Sequence, residues 1–321
     1  FYVKIPFTED KFADALELRP SNMAVVHHAG AYVVDIPEGV TIGEDGRAFD
    51  SKGKELGPEE LRKLSKPNTD VFEAPLAGST KLISYVPGRG AEDHPEGFGK
   101  RLPAGKYIYF VQHYNPIGKI AQDQTRLGVW FAKKPVMHEV LNLQAGDPVP
   151  GPGAKGKGLY FSEGKEIVYN SDDTTGRRGA MPTIPPYNEA FKMVGVTPVT
   201  EPITLYGLTP HMHLRGKSLK WIVTWPDGTE TTVLDVPKYD FNWQIDYELA
   251  EPLKIPAGSK VTAIAYYDNS VKNKWNPAPE KEVYWSEQSW DEMFQPTTQF
   301  SVDSQDLSKK QVKVTTQQNE R

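Results

Sequence analysis

Short apolar runs broken by glycine and proline dominate this chain. Ala24–His28, Ala31–Ile36, Thr80–Val86, Lys106–Tyr114 and Gly128–Phe131 are rich in Val, Ile, Tyr and Phe and read as strands. The same texture returns at Ile203–Leu208, Leu219–Trp225, Thr231–Leu234, Leu253–Ile255, Lys260–Tyr267 and Glu282–Trp285. Trp225-Pro-Asp-Gly-Thr229 reads as a turn, because proline presets φ and glycine accepts positive φ. Leu102-Pro-Ala-Gly105 and Ile255-Pro-Ala-Gly258 are turns of the same kind, one in each half, each just ahead of a strong strand. That echo points to two similar domains. Helix is scarce. Glu9–Leu18 has helical composition, and Gly57–Leu64 places Pro58 near a first helical position. Gly146–Gly158 reads as loop. The predicted class is all-β, with antiparallel strands and many turns.

Length divides this picture. A chain of 321 residues exceeds one ordinary core. The expected division is 1–138, 139–300 and a polar tail over 301–321, rich in Gln, Lys and Ser. A net charge of −5 leaves no basic footprint for nucleic acid. No apolar run approaches the roughly 20 residues that span a bilayer, so no membrane span is expected. The chain opens on Phe1, and the expectation is a mature or trimmed form.

The candidate chemistry lies in the histidines. Five of the seven fall in three strings: His27-His28, Gln112-His113-Tyr114 and His211-Met212-His213. Neutral imidazole is the commonest protein metal ligand, and cysteine is absent, which removes thiolate sites. His211 and His213 stand at i, i+2, so a strand puts both on one face. His27 and His28 are adjacent, so a regular strand sends them to opposite faces. They reach one ion only if the strand ends or bulges there; otherwise one is packed and one solvated. His113 alone reads as structural and gains meaning only as a third nitrogen beside them. His94 and His138 read as loop or surface residues. The His211 and His213 pair lacks a third ligand. Met293 is available, but on pattern alone a methionine reads as core filler.

Taken in order, His27-His28, His113, His211-x-His213 with Leu214-Arg215-Gly216, and Asp291-Glu292-Met293 resemble the copper type II, ascorbate-dependent monooxygenases. That family includes peptidylglycine α-hydroxylating monooxygenase and dopamine β-monooxygenase. The likeness covers about residues 20–295. Pro210-His-Met-His-Leu-Arg-Gly216, Tyr239-Asp-Phe-Asn-Trp-Gln244 and Asp268-Asn-Ser270 look most like the bacterial branch. The resemblance implies two jelly-roll β-sandwiches with one copper in each. His27, His28 and His113 would hold an electron-transfer copper. His211, His213 and Met293 would hold the copper that activates O2. The implied activity is hydroxylation of a substrate C–H bond with O2 and an external reductant, ascorbate or a redox protein, in a secreted or periplasmic setting. The thioether favours Cu(I) and disfavours zinc. Two departures stand out. The animal enzymes carry disulfides, and this chain has no cysteine. Peptide-amidating members place a carboxylate-binding Arg just ahead of His-x-His, where this chain has Thr209 and Pro210. That departure keeps a second reading open: a copper-binding or electron-transfer module without hydroxylase activity.

Overall fold

The computed structural model describes residues 1–57, 60–61, 64, 79–149, 159–167, 182–286 and 288–307. It divides the chain into two compact units. One comprises Phe1–Leu141 with the C-terminal segment from Ser304, and the other is Asn142–Asp303.

The first unit runs through β1 (Tyr2–Lys4), β2 (Lys11–Arg19), β3 (Val26–Val34), β4 (Thr41–Ile42), β5 (Ala48–Phe49) and β6 (Glu55–Leu56). It continues with β7 (Ser79–Tyr85), β8 (Glu92–Asp93), β9 (Phe98–Leu102), β10 (Tyr107–Tyr114), β11 (Arg126–Phe131) and β12 (His138–Glu139). One sheet has the order β1-β10-β3-β7. A second has the order β11-β2-β9-β12, with β8 also on β2. Ala29, Ala31, Val33, Leu82 and Ile83 from the first sheet pack with Ala13, Leu16, Leu18 and Leu102 from the second in one buried core. This is a β-sandwich, with alternate residues of each strand turned inward.

Glu9–Leu18, expected as helix, is instead extended: from Lys11 on it belongs to strand β2, paired on both sides. The reason lies in its register. Trp130 pairs with Ala15 and Phe131 with Ala13, so Asp14 is an extra residue in the ladder. Ala13 and Leu16, three apart, therefore both face the core, which imitates a helical repeat. Of the second expected helix, Pro58 and three of its neighbours lie outside the described residues. Leu61 N–H donates to the Gly57 carbonyl at 3.1 Å, as in one helical turn.

The second unit holds β13 (Leu141–Gln144), β14 (Leu159–Ser162), β15 (Lys165–Ile167), β16 (Phe191–Pro198) and β17 (Ile203–His211). It continues with β18 (Gly216–Thr224), β19 (Glu230–Val236), β20 (Tyr247–Ile255), β21 (Lys260–Tyr267) and β22 (Gln295–Val302). A four-stranded sheet has the order β13-β22-β17-β20, and a six-stranded sheet has β15-β14-β16-β21-β18-β19. Leu205, Leu208 and Phe300 from the first, and Trp221, Val223, Ala263 and Ala265 from the second, are fully buried. Glu282–Trp285 is not a strand. Val283 and Trp285 form isolated bridges, to Ile184 and Glu292. Ser301 and Val302, assigned to the tail from sequence, complete β22 because their side chains are buried there. Leu307 N–H then bonds the Met137 carbonyl at 2.9 Å, back in the first unit, and residues beyond 307 lie outside the described set.

Asp147 offers a test of burial in this unit. Burial raises its carboxyl above the usual range, although the Tyr160 hydroxyl donates to it at 2.7 Å and pulls the other way. A raised folded-state value means that the native state binds the proton more tightly. Stability then falls as pH rises through that value. Asp147→Asn is expected to be more stable than the parent at pH 7, with the gap closing as pH falls below the ordinary carboxylate range. Urea midpoints across pH 3–8 check this; a variant less stable at pH 7 contradicts it.

Candidate metal centres

The two histidine groups stand in different units. In the first, His28 is the cross-strand partner of His113, while Tyr114 pairs with Val26. His27 is therefore the extra residue of a β-bulge at the β3–β10 edge. This is the irregularity that adjacent histidines need if both are to serve one point. The His27 and His28 Nδ1 atoms face one another at 2.8 Å. The rings of His28 and His113 lie stacked, centroids 3.9 Å apart and 20° between planes. Burial, then the neighbouring His113, pushes the His27 imidazole below its ordinary pKa.

In the second unit, strand β17 delivers His211 at its end, and His213 follows two residues on. Their rings are 5.3 Å apart and nearly perpendicular, at 88°. Met212 between them is fully buried on the opposite side. Each ring is oriented by a hydrogen bond from its Nδ1. His211 Nδ1–H donates to Gln244 Oε1 at 2.6 Å. Gln244 Nε2 donates in turn to the Phe241 carbonyl at 2.7 Å, which fixes the amide and hence the imidazole tautomer. His213 Nδ1–H donates to the Asp291 carbonyl at 3.3 Å. With Nδ1–H as the donor, the ring's second nitrogen is Nε2 in each case. Such outer partners set the orientation and basicity of metal-ligating histidines.

Tyr239 locks the loop. Its hydroxyl donates to the Met212 carbonyl at 2.5 Å and accepts the Met212 N–H at 3.1 Å. Burial raises the Tyr239 phenol well above its usual value. The ring lies against Gly216, where a Cβ would come within 2.6 Å of the Tyr239 ring and 2.9 Å of Met212 Cβ. Gly216→Ala is expected to cost about 1–3 kcal/mol through this overpacking. It should read as a lower urea midpoint with unchanged slope; an unchanged midpoint would show that the ring gives way freely.

Met293 follows Glu292, whose side chain is fully buried. The Glu292 carboxylate accepts N–H groups from His213, Arg215 and Met293 at 2.8, 2.6 and 3.0 Å. Burial nevertheless prevails over those bonds and the nearby Arg215, and lifts the Glu292 carboxyl to about 7. Arg215 is itself buried and donates to Asn269 Oδ1 and the Trp290 carbonyl, both at 2.7 Å. The exposed large apolar side chains described on this unit are Tyr187, Trp243, Val271, Trp275 and Trp290. Trp243 adjoins Gln244, and Trp290 adjoins Asp291, so indoles flank both histidine-orienting groups in sequence.

Sequence reasoning assigned no role to Gln244 or Glu292. Gln244 lies 33 positions from His211, and Glu292 lies 79 from His213. Nothing local in either string announces such a partner. His138, in β12, is stacked on Phe98 and is neither loop nor surface, whereas His94 does lie in the loop after β8, with its side chain tucked 3.2 Å from the buried Glu92. Among the described residues, no three His, Cys, Asp or Glu side chains are arranged as a ready metal-binding group.

No protein-family model matches this chain, and no curated protein matches it. Among solved structures, the infectious bursal disease virus Gx strain aligns at 11% identity over 94% of this chain and 75% of that chain, with a TM-score of 0.21. The N-terminal CBM22-1–CBM22-2 tandem domain of Paenibacillus barcinonensis Xyn10C aligns at 7% identity over 93% and 80%, with a TM-score of 0.20. Vicilin from tomato, Solanum lycopersicum, aligns at 9% identity over 94% and 73%, with a TM-score of 0.14. Scores this low support no argument about shared fold or function. No helix among the described residues is long and apolar enough to cross a membrane.

Proposed function

We propose that the protein is a copper-dependent monooxygenase in which two β-sandwiches of jelly-roll type each hold one copper. The observation that carries this reading is the pair of orienting hydrogen bonds in the second unit. Both His211 and His213 place Nδ1 against a carbonyl-type oxygen, which orients each ring and leaves Nε2 as the nitrogen through which it would meet a metal. The donor set fits copper. Imidazoles accommodate both of its oxidation states, and the Met293 thioether suits Cu(I).

In the first unit, His27, His28 and His113 would hold the other copper through imidazole nitrogens. The His27 and His28 Nδ1 atoms stand 2.8 Å apart, and without an ion one Nδ1–H donates to the other.

Copper at these positions would supply one-electron steps and the activation of O2. The chain's own residues do the rest. Gln244 and Asp291 hold the imidazoles in one tautomer. Tyr239 and Gly216 keep the His-x-His turn in place. Burial of His213 and Met293, 3% and 7% exposed, keeps water from that side of the site.

The test is copper stoichiometry with product analysis. The parent is expected to bind two copper ions and, with a reductant, to consume O2 in step with a hydroxylated product. His113→Ala and His211→Ala should each lose one ion and retain the other. Fewer than one copper per parent chain after loading would overturn the reading. Two coppers that cycle without product across a broad substrate screen would favour the electron-transfer module.

A further inference from the structure

Resting on the copper reading, we propose that Glu292 is a positioning residue that fixes the His211–His213 arm and the Met293 arm relative to one another before any ion arrives. Its Oε2 accepts both the His213 N–H at 2.8 Å and the Met293 N–H at 3.0 Å. One oxygen therefore ties together the main chains of two of the three candidate ligands, on segments far apart in sequence. Oε1 takes the Arg215 N–H at 2.6 Å, on the far side of the His-x-His turn. The Met293 peptide is held from its other face too, because the Tyr267 hydroxyl donates to its carbonyl at 2.9 Å.

The number of acceptor positions is the telling feature. Packing alone would be served by an apolar side chain of similar volume, without the desolvation penalty that a buried carboxylate carries. A carboxylate is instead the group that answers three converging N–H donors. A glutamine offers one acceptor oxygen and sets its own NH2 against at least one of them. Asp291 and Glu292, directly ahead of Met293, thus both bond to the histidine arm. The Asp291 carbonyl orients the His213 ring, the Glu292 carboxylate fixes the backbone, and Met293 brings the sulfur.

Glu292→Gln with Cu(I) loading tests this. Wild type is expected to bind two coppers, one with a sulfur scatterer in copper X-ray absorption. The variant should keep the first copper, bind the second about 10–100-fold more weakly and lose the sulfur signal. A variant with unchanged second-site affinity and an intact sulfur signal overturns the proposal. A wild type with no sulfur scatterer signals failure of the copper reading instead.

A second arm then decides on the metal-free protein. Amide hydrogen exchange at His213, Arg215 and Met293 should be slow and correlated in wild type, and should quicken at all three in Glu292→Gln and Glu292→Asp while β21 stays protected. If neither variant folds, the wild-type measurement stands alone. Rapid or uncorrelated exchange at the three amides overturns the proposal.

Discussion

Met293→Ile is expected to abolish hydroxylation, with turnover lower by more than about 100-fold, while the copper held by His27, His28 and His113 remains bound. Isoleucine nearly conserves the volume and apolarity of a side chain that is 7% exposed, so the fold should tolerate it. What it removes is the soft donor that favours Cu(I). The neighbouring frame survives the change, because Glu292 and Tyr267 bind the Met293 backbone and not its side chain. Loss of activity with a retained unfolding midpoint would therefore separate ligand chemistry from structure. Product formation, copper content and the urea midpoint are to be measured on one preparation. Unchanged turnover would remove Met293 from the site.

Arg215→Met is expected to be the most damaging single change to stability, at about 3–5 kcal/mol, because it removes two buried hydrogen bonds made by a charged donor and the cation near Glu292. For a unit of this size that corresponds to a fall in Tm of about 6–20 °C. Arg215 is 1% exposed, and its guanidinium satisfies Asn269 Oδ1 and the Trp290 carbonyl while it offsets the charge of Glu292. Methionine fills part of the space and leaves both acceptors and the carboxylate without their cation. Calorimetry on the metal-free chain keeps copper linkage out of the comparison. A loss under about 1 kcal/mol would show that protonated Glu292 needs no cation.

The all-β class was legible in the sequence because Val-, Ile- and Tyr-rich runs fall between Gly-Pro breaks, and alternation along β21 repeats it in the buried row Val261, Ala263, Ala265 and Tyr267. Where legibility failed, a bulge was the cause. Asp14 shifts β2 by one residue and makes a strand look helical. The same kind of irregularity at His27 is what makes adjacent histidines meaningful, and the sequence could state it only as a condition. The candidate ligands were visible as histidine strings, with Met293 visible through the resemblance alone. Their supports were not. Gln244, Glu292 and Tyr239 act through contacts made across the fold, and side chain–backbone bonds over such separations leave no local pattern. Arg215 stood in the sequence only as part of the Leu214-Arg215-Gly216 string; its burial is completed by Asn269 and Trp290, 54 and 75 positions away.

The central claim is that two separate histidine groups each hold one copper. Metal-specific anomalous scattering at the copper edge, on crystals of the copper-loaded chain, tests it most directly. The account predicts two peaks, one bonded by His27, His28 and His113 and the other by His211, His213 and Met293. A single peak, or a second peak without Met293 among its ligands, would contradict it.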